Sequence, residues 1–399
     1  MAKKTLADLP ALRGKRVLIR VDFNVPLDAD GTITNDRRIR AALPTIRHVL
    51  DAGGSAILMS HLGRPKGDPK KDAPFKLNRV AERLQELLQR PVRKIDEVVG
   101  PNAQAAAKAL KPGEVLVLEN LRFHPGEQAG DPPFAQQLAS LADVYVNDAF
   151  GTCHRNDASM VAVPRAMAGK PRVVGDLVAK ELEVLDELLS TPRRPFVSIL
   201  GGAKVSDKIG FIKSLLNRVD QVLVGGAMSY TFMKARGRGT GNSKVEADKL
   251  DVARELLRLG DQKIVLPLDH LVVQRLEESQ QARVVEGDIP EGWMGVDIGP
   301  RTIRTYQEKI APAGTVIWNG PLGKYEDEAY SHGTRAIAEA LAHSGAVTVV
   351  GGGETAEAVE SFGLADKMAH VSTGGGAFLE YVEGTPFAAL AQIENRNSS

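Results

Sequence analysis

Cysteine is all but missing from this sequence. Cys153 stands alone in 399 residues, which excludes an internal disulfide and fits a reducing, cytoplasmic setting. Long apolar runs are missing too: no stretch approaches the roughly 18 residues that would span a bilayer. The lysines of Met1-Ala2-Lys3-Lys4-Thr5-Leu6 have no apolar segment behind them, so they do not read as a secretory signal. Aromatic residues reach only 5% and the formal net charge is +1, whereas a nucleic-acid surface would want a clustered basic excess interleaved with aromatics. A Walker A spacing (G-x-x-x-x-G-K-S/T) is absent, and no G-x-G-x-x-G follows the first strand-like run. Histidines do not cluster at metal-ligand spacing, which removes zinc.

What is present is a balanced chain, 43% apolar and 25% charged. It is long enough for a large core and, by size, for two domains. The near-zero net charge conceals an asymmetry. Residues 1–180 hold 28 Lys and Arg against 20 Asp and Glu, and the remainder holds 23 against 30. A basic first half points to capture of a small anion, although so modest an excess also fits a solvated surface.

Short β-branched runs alternate with amphipathic stretches. Strands are expected at Arg16–Asp22, Ser55–Ser60, Val115–Leu118, Val144–Asn147, Phe196–Leu200, Gln221–Val224, Lys263–Leu266, Thr315–Trp318 and Val347–Val350. Helices are expected between most of them, such as Lys76–Gln89 and Ala247–Leu259. This alternation predicts an α/β fold of two doubly wound, Rossmann-like parallel-sheet domains. No period of 20–50 residues marks a solenoid. The boundaries read as 1–175, a connecting helix over 176–190, 191–380, and a C-terminal segment over 381–399 that returns to the first domain. Asp176 is expected to cap the connecting helix, whose leucines form an apolar stripe before Thr191-Pro192 stops it. Such a helix is either a strut between domains or an ordinary core helix.

Ligands of open α/β sheets sit at the carboxyl ends of strands, and the informative residues fall there. The stretch Phe196 to Lys208 reads as a buried strand, a Gly201-Gly202 turn and a helix opening with Lys204 and Lys208 four apart on one face. That is a phosphate-ready turn, or simply a tight turn with solvated lysines. In the first half the strand ends deliver Arg20-Val21-Asp22-Phe23-Asn24, Ser60-His61-Leu62-Gly63-Arg64, Asn120-Leu121-Arg122 and Cys153-His154-Arg155, with Arg38 opening a helix after the first. One such arginine is usually a surface ion pair, but several from separate strands point to carboxylate or phosphate oxygens. In the second half glycines take their place: Gly225-Gly226, Asn319-Gly320-Pro321, Gly351-Gly352-Gly353-Glu354-Thr355 and Gly374-Gly375-Gly376. Together they describe a site of backbone N–H groups suited to a polyphosphate, with Glu354 available for a metal.

R-V-D-F-N-V-P, S-H-L-G-R-P, L-E-N-L-R, N-D-A-F-G-T-x-H-R, L-G-G-A-K-V, W-N-G-P and S-T-G-G-G-A occur in this order between about Arg16 and Glu383. By these motifs the chain resembles the phosphoglycerate kinase family. The resemblance implies a bilobed, hinge-bending, monomeric kinase that transfers a phosphoryl group between 1,3-bisphosphoglycerate and ADP, giving 3-phosphoglycerate and ATP with Mg²⁺. It implies that Asp22, Phe23, Asn24, Arg38, His61, Leu62, Gly63, Arg64, Arg122 and Arg155 bind the glycerate. Gly202, Ala203, Lys204, Lys208, Gly226, Gly295, Asn319, Pro321, Glu326, Gly352, Gly353, Glu354 and Thr355 would bind nucleotide, with Glu354 as the metal carboxylate. Arg38, Lys204, Gly375 and Gly376 would face the migrating group. The chain departs from the family pattern at Glu354 (usually Asp), Asp157 (commonly a second His), Lys324-Tyr325 (usually Val-Phe) and Cys153 (often Ala).

A carboxylate acceptor is already ionised at neutral pH, with a pKa of roughly 3–4, so no general base is needed. What the reaction demands is charge neutralisation and alignment. A dehydrogenase would leave the arginine set without a role, and a non-enzymatic binder of the same ancestry is the other alternative; turnover with 3-phosphoglycerate, ATP and Mg²⁺ separates all three.

Overall fold

The computed structural model describes residues 2–396. It resolves into two compact units, residues 1–183 with 386–399, and residues 184–385. The boundary falls inside the helix Asp176–Ser190. Asp176 starts that helix instead of capping it. Its N–H donates to Thr45 Oγ1 and that of Leu177 to Asp148 Oδ1, at 2.8 and 3.0 Å, so the capping oxygens come from elsewhere in the first unit.

The first unit holds a six-stranded sheet of β1 (Arg16–Val21), β2 (Ser55–Met59), β3 (Val92–Lys94), β4 (Val115–Val117), β5 (Val144–Asp148) and β6 (Arg172–Val174). Their order is β3-β4-β2-β1-β5-β6, and every pairing is parallel. The central strands are buried on both faces, which is why they read as unbroken apolar runs. Helix Arg37–Asp51 covers one face through Ile39, Ala42, Leu43, Ile46, Val49 and Leu50, at three- and four-residue spacing. From Pro386 on the C-terminal segment joins this unit, whereas residues 381–385, expected with it, stay with the second unit at the end of helix Gly376–Glu383. Lys4 N–H donates to Glu394 O at 2.8 Å, Lys4 Nζ pairs with the Glu394 carboxylate at 2.7 Å, and Arg396 N–H donates to Ala2 O at 2.8 Å.

The second unit repeats the plan with β7 (Phe196–Leu200), β8 (Gln221–Val224), β9 (Ile264–Val265), β13 (Thr315–Asn319), β14 (Val347–Gly351) and β15 (His370–Val371), in the order β15-β14-β13-β7-β8-β9, all parallel. Between β9 and β13 it carries an antiparallel sheet that the parallel-only expectation omits: β10 (Asp269–Val273), β11 (Arg283–Glu286) and β12 (Met294–Ile298), ordered β11-β10-β12. The nine expected strands are therefore joined by six others among the described residues. Of these, β3, β6 and β15 have three, three and two residues, and β11 has three of four residues in solvent, so no apolar pattern marks them.

Candidate active site

In the first unit the expected residues gather at the carboxyl edge of one parallel sheet. Asp22, Ser60-His61 and Glu119-Asn120 each follow a strand, and Asn147 and Asp148 end β5. Backbone-to-side-chain bonds fix the loops to one another. Phe23 N–H donates to Ser60 Oγ at 2.9 Å and Gly63 N–H to Asn24 Oδ1 at 2.8 Å. Asn120, fully buried, accepts from the N–H groups of Leu62 and Arg122 and donates to the carbonyls of Leu62 and Phe75. Gly63 has a φ of +62°, and a Cβ there would sit 2.4 Å from the Phe75 ring, so the turn that presents Arg64 requires glycine.

Arg38 Nη1 donates to Asp22 Oδ2 at 2.5 Å. Burial pushes the Asp22 carboxyl up, yet the surrounding cations, Arg38 foremost, overcome it and hold it at about 2. Asp22 is thus ionised at any working pH and orients Arg38. Arg122 Nη1 donates to Gly63 O at 2.7 Å, while its Nε is buried without a partner. Arg64 is exposed and Arg155 half-buried. His61 is buried against Arg20 and lies in the field of Asp22, Arg122 and Arg155. Asp157 is also buried; its Oδ2 has no hydrogen-bond partner, and it shares the electrostatic environment of Arg122 with Arg155. Cys153 is buried and burial pushes its thiol up to about 12, so no thiolate nucleophile is present at neutral pH.

In the second unit three glycine turns interlock. Gly201 N–H donates to Asn319 O at 2.9 Å, Gly202 N–H to Pro321 O at 2.7 Å, and Gly226 N–H to Leu322 O at 2.8 Å. A Cβ on Gly226, whose φ is +64°, would lie 2.6 Å from Gly202 N and 2.7 Å from Pro321 O. Asn319 Nδ2 donates to Gly351 O at 2.9 Å, and Gly320 N–H to the buried Thr355 Oγ1 at 2.6 Å, tying in the loop that opens helix Gly353–Ser361. Gly353 and Glu354 are exposed in that helix's first turn, and Gly376 opens helix Gly376–Glu383 after Gly375 at φ +51°. Gly295, on β12, packs against Tyr230 of the helix that follows Gly226. Glu326 is exposed, and together with Glu357 and Glu354 it adds to the burial that pushes the Tyr325 phenol upward, which places these carboxylates around Tyr325.

The two lysines do not share a helix face, contrary to the spacing argument. Lys204 lies exposed before the helical turns begin, beside the exposed Ala203, whereas Lys208 sits buried in a 3-10 turn. The cause lies some forty residues on. Glu246 accepts from Val205 N–H at 2.5 Å, Ser206 N–H at 3.2 Å and Ser206 Oγ at 2.6 Å. An internal carboxylate therefore already occupies the amides that were expected to await an anion. Lys208 Nζ donates to the backbone and side-chain oxygens of Asn319, and burial lowers its pKa to about 8 with Glu354 opposing. Sequence reasoning missed Glu246, and it counted Arg20 with the strand-end arginines without its burial. Arg20 did carry a signal, a charge inside a six-residue apolar strand.

Among the described residues no group of three His, Cys, Asp or Glu could hold a metal, and no helix is long and apolar enough to cross a membrane. The phosphoglycerate kinase family profile matches residues 6–385. The chain is 53% identical over 397 residues to a phosphoglycerate kinase of Rhodopirellula baltica and 54% identical over 400 residues to one of Moorella thermoacetica, covering 99% of this chain and 100% of each relative. Solved phosphoglycerate kinases of Coxiella burnetii and Pyrococcus horikoshii superpose with TM-scores of 0.85 and 0.87 at 39% and 32% identity, over 98% of both chains. With cation-lined and glycine-lined strand ends in two parallel-sheet units, and a match of this length and depth, the chain belongs to the phosphoglycerate kinase family and is a phosphotransferase.

Proposed function

We propose that the two sites divide the family's reaction between them, reversible transfer of a phosphoryl group between 1,3-bisphosphoglycerate and ADP to give 3-phosphoglycerate and ATP. The first unit holds the glycerate: Asp22 and Asn24 at its hydroxyl and carboxyl end, His61, Arg64, Arg122 and Arg155 around its 3-phosphate, Arg38 toward the transferring group. The second holds nucleotide on the Gly202, Gly226, Asn319–Pro321 and Gly352–Thr355 loops, with Lys204 and the amides of Gly375 and Gly376 toward the migrating phosphoryl. The observation that carries this reading is the convergence of cations from separate strands on one sheet edge, with Asp22 ionised to orient Arg38.

Mg²⁺ fits the residues present. Glu354 offers an exposed carboxylate in the first turn of its helix, and Mg²⁺ bound through nucleotide phosphates and water needs only one or two protein carboxylates. When bound, it would neutralise developing charge on the phosphate oxygens. The protein's own part is positional. Loops fixed by Asn120 and Asn319 hold the donors, Lys208 remains cationic through neutral pH, and no side chain has to remove a proton from the carboxylate acceptor.

A coupled assay with 3-phosphoglycerate, ATP and Mg²⁺ tests the assignment: ADP release that requires all three is expected, and none at millimolar substrate would refute it. Bringing the reactants together calls for hinge bending about the helix Asp176–Ser190, and small-angle scattering is expected to show shrinkage only when both substrates are bound. A cytoplasmic monomer that binds neither membrane nor nucleic acid belongs to the same reading.

A further inference from the structure

Arg20 is a cation at the site edge of the first unit that solvent does not reach. It ends an apolar strand with no solvent exposure, and every nitrogen of its guanidinium is engaged inside the protein. Nε donates to Ser159 Oγ at 2.9 Å, Nη1 to Val21 O, and Nη2 lies 3.1 Å from His61 Nδ1. Ser159 is held in turn by Glu127, whose carboxylate accepts from Ser159 N–H at 2.9 Å and Ser159 Oγ at 2.5 Å, and Tyr145 donates to Ser159 O at 2.8 Å. The guanidinium is therefore fixed in place before any substrate arrives.

A guanidinium only donates hydrogen bonds. Its approach to His61 Nδ1 is favourable only if that nitrogen presents its lone pair, so the hydrogen of the neutral ring lies on Nε2. Nε2 makes no hydrogen bond within the protein, and an unpaired buried donor calls for a partner. We propose that Arg20 is a positioning residue: it locks His61 as the neutral Nε2–H tautomer, which meets the phosphate end of the glycerate as a fixed hydrogen-bond donor and not as a titrating cation. The proposal rests on the assignment of His61 to the glycerate site.

The electrostatics agree. Burial lowers the His61 pKa well below its ordinary value, Arg20, Arg122 and Arg155 push the same way, and Asp22 alone opposes them. Protonating Nδ1 would also turn the Arg20 contact into a donor facing a donor.

Imidazole ¹⁵N–¹H correlation spectra of the full-length, ¹⁵N-histidine-labelled protein test the lock without reference to catalysis. Eight histidines are present, and His61→Asn assigns the signal. The expected spectrum has a protonated Nε2 and an unprotonated Nδ1, unchanged from pH 5.5 to 8.5. A protonated Nδ1, or an imidazolium at pH 7, would overturn the proposal even if the kinase assignment stands; if turnover is absent while the Nε2–H tautomer is seen, the assignment fails and the lock survives. Adding 3-phosphoglycerate should move the Nε2–H resonance, and an unmoved resonance in the saturated complex would remove the donor role. In Arg20→Met the donor facing Nδ1 is lost. His61 should then show a mixture of Nδ1–H and Nε2–H forms, and KM for 3-phosphoglycerate should rise about tenfold, with kcat changed less than threefold. Should that variant not fold, Ser159→Ala, which frees only Nε of the guanidinium, carries the same expectation in weaker form. A folded variant whose His61 spectrum matches wild type would refute the lock.

Discussion

On the reading proposed above, the two units would hold phosphate oxygens by opposite means. The first would do it with side chains: Arg38 comes from a helix, His61 and Arg64 from the loop after β2, and Arg122 and Arg155 from the segments after β4 and β5, with buried Asp22 pairing with Arg38 and Glu127 acting on His61 through Ser159 and Arg20. The second would do it with backbone: glycines at φ of +92°, +64° and +94° at positions 202, 226 and 320 let three turns touch through their peptide groups. A side-chain site can be tuned by a charge placed nearby. A backbone site has less room to change: at Gly226 and Gly320 a Cβ would enter a neighbouring turn, and at Gly202 the positive φ alone disfavours one.

The largest effect is expected where the second unit abandons backbone for a side chain. Lys204 stands exposed beyond the turn that Glu246 fastens, so its removal should leave the loops intact. Lys204→Ala is expected to lower kcat by about two to three orders of magnitude with little change in nucleotide KM. Steady-state kinetics decides, and near-normal turnover would take Lys204 out of the transition state.

Next comes the rigidity of the glycine turns. Gly226→Ala must fit a methyl group 2.6 to 2.7 Å from the backbone of Gly202 and Pro321 at a positive φ. A cost of about 3 kcal/mol or more is expected, read as a lowered denaturation midpoint together with weakened nucleotide binding. The matched change in the first unit, Arg64→Ala, should leave the midpoint within about 0.5 kcal/mol and raise only KM for 3-phosphoglycerate. If both variants behaved alike, the contrast between the units would be gone.

Asp157 shows how the side-chain site can be tuned. Its buried Oδ2 has no hydrogen-bond partner, and its attraction for Arg122 opposes the repulsion from Arg155. It therefore subtracts from the potential that attracts the substrate's phosphate. Asp157→Asn should lower KM for 3-phosphoglycerate by about three- to tenfold and steepen its dependence on salt, with kcat nearly unchanged. An unchanged or raised KM would mean that Asp157 instead supports the arginines.

Much of this was legible in the chain. The nine expected strands are largely apolar because parallel sheets are covered on both faces, and in each unit their carboxyl ends bring the expected residues to that unit's own sheet edge. What stayed hidden depends on distance along the chain. Nothing near Lys204 discloses that Glu246 takes the amides of Val205 and Ser206. Nothing near Arg20 discloses the Glu127–Ser159 clasp, more than a hundred residues on. The antiparallel sheet was hidden for a different reason, since the exposed β11 has no apolar face to announce it.

The smallest effects concern two buried acids, one in each unit, that burial pushes up to about 7: Asp148 beneath the start of helix Asp176–Ser190 and Asp297 on β12. For an acid whose folded pKa is raised above an unfolded value near 3.8, the native state binds the extra proton. Each group's contribution is then full below about pH 4 and is lost as pH rises through about 7. The two differ in their oxygens. Asp297 accepts backbone N–H groups at both, from Ile298 at 2.9 Å and Gly333 at 2.7 Å. Asp148 accepts from Leu177 N–H on Oδ1, while Oδ2 is buried without a partner and is the natural seat of the proton. Asp148→Asn keeps the accepting oxygen and places a neutral amide where the proton sat. Its urea midpoint relative to wild type should therefore climb between pH 4 and 7 and level off above. Asp297→Asn surrenders one accepting oxygen, turning an amide donor against a backbone N–H, and should be less stable than wild type at pH 5 by about 1–3 kcal/mol. That deficit should shrink as pH rises through 7, because the wild-type carboxylate loses stability there and the amide does not. A flat difference across this range for Asp148→Asn would mean that its carboxyl titrates normally in the folded protein.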